Sequence, residues 1–149
     1  MKGEYRIGVV IPARNEQQFI QKVLETLPSF VDLAIVVNDG STDETQSILD
    51  AMSPTVEMHC IALDGEGVGA AIDAGHQYLL QQWQDDQFIS VVMAGDGQMN
   101  PSDMDALLKP VLDGRADYAK GNRFAHQGGT KSMPNVRRQA SRILSVFTG

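Results

Sequence analysis

Short apolar runs alternate with amphipathic segments, and this alternation constrains the fold more than any other feature of the sequence. The apolar runs are rich in Val and Ile and predict five strands: "YRIGVVI", "LAIVVN", "VEMHCIAL", "FISVVMA" and "ADYAKG". Apolar residues at three- and four-residue spacing predict helices over Glu16–Leu27, Thr42–Met52, Val68–Trp83 and Pro101–Leu112. Because strands that read as continuous apolar runs are covered on both faces, we predict an α/β fold. The expected architecture is a Rossmann-like, mostly parallel sheet with helices on both faces.

Two of the predicted helices carry start signals. Ser41 and Glu44 stand three residues apart before the second helix, as in a capping box. Asn100 precedes Pro101, which gives the fourth helix a cap residue followed by proline at the first helical position. Both helices are therefore expected to begin directly after the polar end of a strand.

Size and composition indicate one ordinary globular domain over residues 1–149, with 42% hydrophobic and 21% charged residues. The lone Cys60 has no disulfide partner, and we find no leader segment and no membrane-spanning run, so we predict a cytoplasmic location. The net charge of −7 argues against nucleic acid as a partner, because counterion release requires clustered Lys and Arg.

The charge is unevenly distributed along the chain. No Asp or Glu follows Asp117, whereas six basic residues do: Lys120, Arg123, Lys131, Arg137, Arg138 and Arg142. Such a run is often only a solvated helix face. It also suits an anionic partner, either a polyphosphate or an acidic membrane surface.

Polar or glycine-rich segments follow each predicted strand, and parallel strands would bring these segments to one edge of the sheet. Asp39 and Asp96 are each followed by Gly, a pair that alone usually makes only a turn. Two such carboxylates at one edge, with Gln98 nearby, are suited to hold Mg²⁺ or Mn²⁺ bridged to phosphates. Arg123, after the fifth predicted strand, is expected to contact a phosphate.

The glycine-rich segment "DGEGVGAA" offers an alternative. Gly65, Gly67 and Ala70 satisfy the dinucleotide-binding pattern, with Asp85 about twenty residues further on. The context argues against a nicotinamide dehydrogenase, because the loop follows the third strand and Asp85 precedes the fourth. The segment is better suited to let a nucleotide or sugar approach the backbone closely.

Five segments in order resemble the family 2 glycosyltransferases with the GT-A fold: "VVIPARNEQQFIQKVLETL", "IVVNDGSTDET", "GVGAAIDAG", "VVMAGDGQMNPSDM" and "KGNRF". The similarity is greatest to the branch of dolichyl-phosphate mannose synthase and bacterial polyprenyl-phosphate sugar transferases. The resemblance implies a UDP- or GDP-linked sugar as donor, a divalent metal, inversion at the sugar, and a lipid phosphate as acceptor at the inner face of a membrane.

The resemblance also implies roles for individual residues. Asp96 and Gln98 match the positions that hold the cation on the diphosphate, and Asp39 matches a residue that bonds the base. The other expected donor-binding residues are Pro12, Ala13, Asn15, Glu16, Gly67, Gly69, Gly95, Arg123, Arg137 and Arg138.

Two departures from the family pattern qualify the resemblance. The family's acidic motif usually has two carboxylates, and Ala94 occupies the first of those positions. Family members also continue beyond the equivalent of Gly149 with an acceptor-binding part that carries the catalytic base. We therefore expect a donor-binding portion without an assignable base, and self-association through apolar surface left uncovered. A nucleotide-sugar-binding module without turnover stays open as an alternative, and a sugar nucleotidyltransferase is disfavoured because "PARNE" is not its loop.

Overall fold

The structure is a computed structural model that describes residues 2–121. In chain order its elements are β1 (Arg6–Ala13), α1 (Ile20–Glu25), β2 (Leu33–Asp39), α2 (Thr45–Ala51), β3 (Met58–Leu63), α3 (Val68–Gln82), β4 (Phe88–Val92), a turn of 3-10 helix (Pro101–Asp103) and α4 (Met104–Leu112). The alternation of strands and helices confirms the predicted α/β class.

All four strands are parallel and lie in the order β3-β2-β1-β4. The first three strands extend the sheet in one direction, and the chain then returns past β1 to place β4 on its other side. Val10 is paired with Ile35 of β2 and with Val92 of β4. The strand order therefore reverses between β1 and β4, and this is the edge at which such sheets bind ligands.

Alternate residues of β1 supply two separate apolar layers. Ile7, Val9 and Ile11 pack in the layer that contains the buried residues of α1, α2 and α4. Val10 packs in the opposite layer with Ala71 and other residues of α3. Because side chains alternate across a strand, the continuous apolar run of β1 is explained by helices on both faces of the sheet.

Three local predictions were wrong. Residues 116–121, the predicted fifth strand, pair with no described strand, and Tyr118 is 77% exposed. The first helix begins at Ile20 and not at Glu16. The capping box does not form: α2 begins at Thr45, and the Ser41 hydroxyl accepts from the Asn15 amide instead.

The proline-containing start signal was right. The Asn100 side chain accepts a hydrogen bond from the Ser102 amide at 3.1 Å, directly before the helical turn that opens with Pro101. Local geometry alone suffices for this cap, which explains why the sequence predicts it correctly.

Candidate functional site

A cleft of about 270 Å³ lies at the carboxyl ends of the strands, at the point where the strand order reverses. We call it the strand-end cleft. Its lining comprises Pro12, Ala13, Arg14, Glu16, Asp39, Gly67, Val68, Ala71, Ala94, Gly95 and Asp96. A second depression of about 330 Å³ lies between α1 and the end of α2, away from the strand ends. We take the strand-end cleft as the candidate site because only it brings together residues from the ends of three strands.

The buried Asp39 carboxylate organises one wall of the cleft. Its two oxygens accept hydrogen bonds from the backbone amides of Glu66 and Gly67, at 2.7 and 2.8 Å. Bonds of this kind, from amides to a charged acceptor, are stronger than those between neutral groups. Asp39 therefore fixes the glycine-rich loop that precedes α3.

Gly40 brings the loop after β2 against the same glycine-rich loop. Its backbone has a φ of 68°, and a Cβ at this position would lie 2.9 Å from the amide nitrogen of Gly65. Any side chain here would be strained and would push the two loops apart. The Asp-Gly pair at Asp39 is thus both a turn and a packing contact.

Asp96 occupies the opposite wall, on the loop that follows β4. The amide of the buried Gly95 donates to the Pro12 carbonyl at 3.3 Å, and a Cβ on Gly95 would lie 3.3 Å from the Cβ of Ala13. One carboxylate oxygen of Asp96 accepts from the Gln98 amide at 3.0 Å. The loop after β4 is therefore held close to the end of β1, with the Asp96 side chain at the cleft.

Glu16 lines the cleft between these two walls. Partial burial raises the pKa of its carboxyl, and the negative charges of Asp96 and Asp43 raise it further. A positive charge placed in the cleft would relieve this repulsion. The local field therefore favours a cation, or a ligand that carries one.

Asn15 has a role that sequence reasoning missed. It is the one described residue other than glycine with a positive φ, 56°, and its side-chain oxygen accepts from the Thr42 amide at 2.8 Å. The Asn15 amide in turn donates to the Ser41 hydroxyl at 3.0 Å. Asn tolerates this left-handed conformation better than most residues, and that tolerance was the available sequence signal.

Two further hydrogen bonds continue this interlock between the loops after β1 and β2. The Glu16 amide donates to the Thr45 hydroxyl at 2.9 Å, and the Glu44 amide donates to the Gln17 side chain at 3.1 Å. The partners are separated by 27 to 29 residues in the chain. Residues between Ser41 and Thr45 thus hold the loops after β1 and β2 in register with each other.

The structure places the predicted site residues in three groups. Those that line the cleft are Pro12, Ala13, Glu16, Asp39, Gly67, Gly95 and Asp96. Those that do not are Asn15, which clamps the neighbouring loop, Gly69, in the first turn of α3, and Gln98, whose backbone bonds Asp96. Arg123, Arg137 and Arg138 lie outside the described residues. Arg14, Val68, Ala71 and Ala94 line the cleft and were not predicted as site residues.

The cleft suits a divalent cation only if the ligand supplies most of the coordination. Within residues 2–121, no three His, Cys, Asp or Glu side chains are grouped so that they could hold a metal ion. Mg²⁺ is commonly bound by one or two carboxylates together with substrate phosphates and waters. Of the two predicted metal ligands, Asp96 lines the cleft and Gln98 contacts Asp96 through its backbone amide, so these two residues would supply one carboxylate to such a cation.

No helix in the described part of the chain is long and apolar enough to cross a membrane.

Comparison with known proteins shows similarity to several proteins, of which three are described here. Two uncharacterized proteins of Methanocaldococcus jannaschii are each 33% identical, over 95% and 93% of this chain and 56% and 59% of their own lengths. The UDP-N-acetylglucosamine--dolichyl-phosphate N-acetylglucosaminyltransferase of Methanococcus voltae is 28% identical over 95% of this chain and 61% of its own length.

The chain therefore spans about three fifths of the length of the curated relatives that it matches. The model of glycosyl transferase family 2 matches residues 8–148, nearly the whole sequence. This match agrees with the parallel sheet and with a ligand cleft at the reversal of strand order. The chain belongs to glycosyl transferase family 2.

Proposed function

We propose that the strand-end cleft binds a nucleotide-diphosphate sugar, UDP- or GDP-linked, and that the whole protein transfers the sugar with inversion. The observation that carries this proposal is the pair of walls at the strand-order reversal: Asp39 fixes the glycine-rich loop, and Asp96 faces the same cleft. Small and glycine residues line much of the space between them, which allows a ligand to approach the backbone closely.

We assign the two walls to different parts of the donor. The diphosphate lies at the Asp96 wall, where Asp96 and Gln98 would hold Mg²⁺ or Mn²⁺. When bound, the cation offsets negative charge on the nucleoside diphosphate as it leaves the sugar. The nucleoside extends toward the Asp39 wall, past Pro12, Ala13 and Glu16. Asp39 contacts the base or acts on it through the loop amides that it holds.

The acceptor in this proposal is a lipid phosphate such as a polyprenyl phosphate. Its support is the name of the relative from Methanococcus voltae, which acts on dolichyl phosphate, and the basic residues at the C-terminal end of the chain. Arg123, Arg137 and Arg138 would contact phosphates of the donor or the acceptor. We assign no catalytic base within residues 2–121.

Calorimetric titration of the chain with UDP, GDP and their sugar conjugates, with and without Mn²⁺, tests the donor site. We expect metal-dependent binding of one nucleotide. The Asp96→Ala variant should lose that binding, whereas Asp73→Ala, which removes an exposed carboxylate from α3, should retain it. Equal affinity of the Asp96→Ala variant and the unchanged chain would refute the metal assignment.

Turnover separates transfer from binding alone. The chain is incubated with the nucleotide sugar that binds and with a polyprenyl phosphate, and release of nucleoside diphosphate is measured. Release that depends on the lipid supports the transferase. The same assay is run on a protein of the relatives' full length. If that protein binds the donor tightly but releases no nucleoside diphosphate, the result would instead support a nucleotide-sugar-binding module.

A further inference from the structure

Glu16 has the least satisfied carboxylate of the acids that line the strand-end cleft. Both oxygens of Asp39 accept hydrogen bonds from loop amides, and one oxygen of Asp96 accepts from the Gln98 amide. The carboxylate of Glu16 forms neither a hydrogen bond nor an ion pair with any residue in the described range 2–121. Because Glu16 is half-buried at the cleft, both of its oxygens are available to a ligand there.

The backbone at Glu16 is held in place from the loop after β2. The Glu16 amide donates to the hydroxyl of Thr45 at 2.9 Å, and Thr45 is fully buried at the start of α2. The preceding residue, Asn15, is held by its own hydrogen bonds to Ser41 and Thr42. Only the side chain of Glu16 is therefore left to be ordered when a ligand binds, which keeps the entropic cost of the contact small.

The charges around Glu16 favour a cation as that ligand. Partial burial raises the pKa of the Glu16 carboxyl, and the negative charges of Asp96 and then of Asp43 raise it further. Asp43 lies outside the cleft lining and already accepts three hydrogen bonds, whereas Asp96 lines the same cleft as Glu16. Arg14, the basic residue of the lining, forms no ion pair with a described acid. A cation shared by Glu16 and Asp96 would offset their mutual repulsion.

We propose that Glu16 supplies a second carboxylate to the divalent cation at Asp96, so that the metal is bound by acids from the loops after β1 and β4. This inference rests on the proposed function, in which the cation is bound together with the diphosphate at the Asp96 wall. Two carboxylates, completed by phosphate oxygens and waters, lie within the range of protein ligands that Mg²⁺ commonly takes.

The test measures metal affinity directly. The affinity of the full chain for Mn²⁺ is determined in the presence of UDP and of GDP, by electron paramagnetic resonance of the free ion. Glu16→Gln should weaken Mn²⁺ binding at least about tenfold, since even residues that only contact a metal ligand change affinity by that much. The variant should unfold at the same or a higher urea concentration than the unchanged chain, because it removes a repelled charge. A loss of metal affinity without a loss of stability is not expected from a purely structural residue.

A second substitution separates a metal ligand from a contact to the nucleoside. Ala94 lines the same cleft two residues before Asp96, so Ala94→Asp places a new carboxylate beside the proposed metal. Adding Ala94→Asp to Glu16→Gln should restore most of the Mn²⁺ affinity. Glu57→Gln is the matched control, because it makes the same charge change at an exposed residue directly before β3, at the opposite edge of the sheet.

Unchanged Mn²⁺ affinity in Glu16→Gln would overturn the assignment. A loss that Ala94→Asp does not restore would also overturn it, and would identify Glu16 as a contact to the nucleoside. An unsubstituted chain that binds neither UDP nor GDP would overturn the proposed function itself, and this assignment with it.

Discussion

At the scale of single residues, Asp39 shows that a predicted ligand contact can also be a structural anchor. In the unchanged chain, the Glu66 and Gly67 amides each donate to one of the two carboxylate oxygens of Asp39. Replacing Asp39 by Asn leaves a single carbonyl oxygen to accept from both amides. Because hydrogen bonds to a charged group contribute about 1.5–3 kcal/mol each, we expect Asp39→Asn to lower the free energy of unfolding by about 2 kcal/mol. Urea denaturation measures the change.

The control for this variant is Asp64→Asn, on the exposed start of the same loop. Surface substitutions of this kind usually change stability by less than about 0.5 kcal/mol. If the two variants unfold at the same urea concentration, the anchoring role of Asp39 is wrong.

Glu16 provides a second prediction at this scale. Burial and the charges of Asp96 and Asp43 raise the pKa of its carboxyl, so the folded state binds this proton more tightly than the unfolded state. Its contribution to stability therefore falls as the pH rises from the unfolded pKa through the raised folded pKa. In metal-free protein, Asp96→Asn should lower the pKa of Glu16, because one of the two repelling charges is removed.

Titration of the Glu16 side-chain carboxyl carbon by NMR measures this pKa directly. Asp103→Asn, which neutralises an exposed acid in the turn before α4, is the control and should leave the Glu16 midpoint in place. A Glu16 midpoint that is the same with Asn and with Asp at position 96 would contradict the electrostatic coupling.

At the scale of elements, close packing between α3 and β1 requires small residues, and Gly75 is one of them. Gly75 is buried, and a Cβ at this position would overlap the side chain of Val10. Gly75→Ala should therefore lower the free energy of unfolding by about 1–3 kcal/mol, the usual cost of overpacking, although Ala favours helix formation more than Gly does.

Gly69→Ala is a matched control in the same helix. No atom lies within 4 Å of a Cβ at Gly69, so only the helix-propensity gain remains and the variant should be as stable as the unchanged chain or slightly more stable. The midpoints of thermal unfolding of the two variants are compared with that of the unchanged chain. Stabilisation by Gly75→Ala would show that α3 can shift away from the sheet at little cost.

The elements also show which sequence signals are reliable. The four strands of the sheet were predicted because each is a run of mostly apolar residues. Helix α3 was predicted because its apolar residues recur at helical spacing along a long segment. The capping box at Ser41 failed because the hydroxyl found a partner 26 residues away, the Asn15 amide, which no local pattern reveals. The fifth strand failed because "ADYAKG" lacks the apolar residues that would bury it. A local rule holds where no residue distant in sequence competes for the same group.

At the scale of the whole molecule, topology explains which part of the site was predictable. Asp39 and Asp96 could be expected at one edge because the sequence predicts a mostly parallel sheet, and the structure, whose four described strands are parallel, brings both to the strand-end cleft. The place of Arg14 in the cleft lining could not be expected, because it depends on the conformation of the loop after β1. The cytoplasmic location, the divalent cation and the self-association stay predictions.

The predicted self-association would involve the edge of the sheet at β4. Within residues 2–121 no strand lies on its outer side, and Val92 is 38% exposed there. An uncovered strand edge is a surface on which another chain can pair. We expect the apparent mass in size-exclusion chromatography to rise with protein concentration. A constant monomeric mass up to high concentration would exclude this association.

Charge is also organised over the whole chain. The 19 acidic residues all lie in the first 117 positions, and half of the 12 basic residues follow them. Each basic residue near an anionic bilayer contributes about 1 kcal/mol to binding, and salt screens this attraction. We therefore expect the chain to bind vesicles that contain anionic lipid, and to bind them less well as the salt concentration rises.

Replacing both Arg137 and Arg138 by Gln tests whether the C-terminal basic residues are responsible. The loss of two charges predicts binding to anionic vesicles that is weaker by about 2 kcal/mol, or roughly thirtyfold. Replacing Lys109 and Arg115 by Gln removes the same charge from the acidic part of the chain and should have a smaller effect. Co-sedimentation with vesicles at several salt concentrations measures both variants. Equal binding to neutral and anionic vesicles would show that this charge distribution does not direct the protein to a membrane surface.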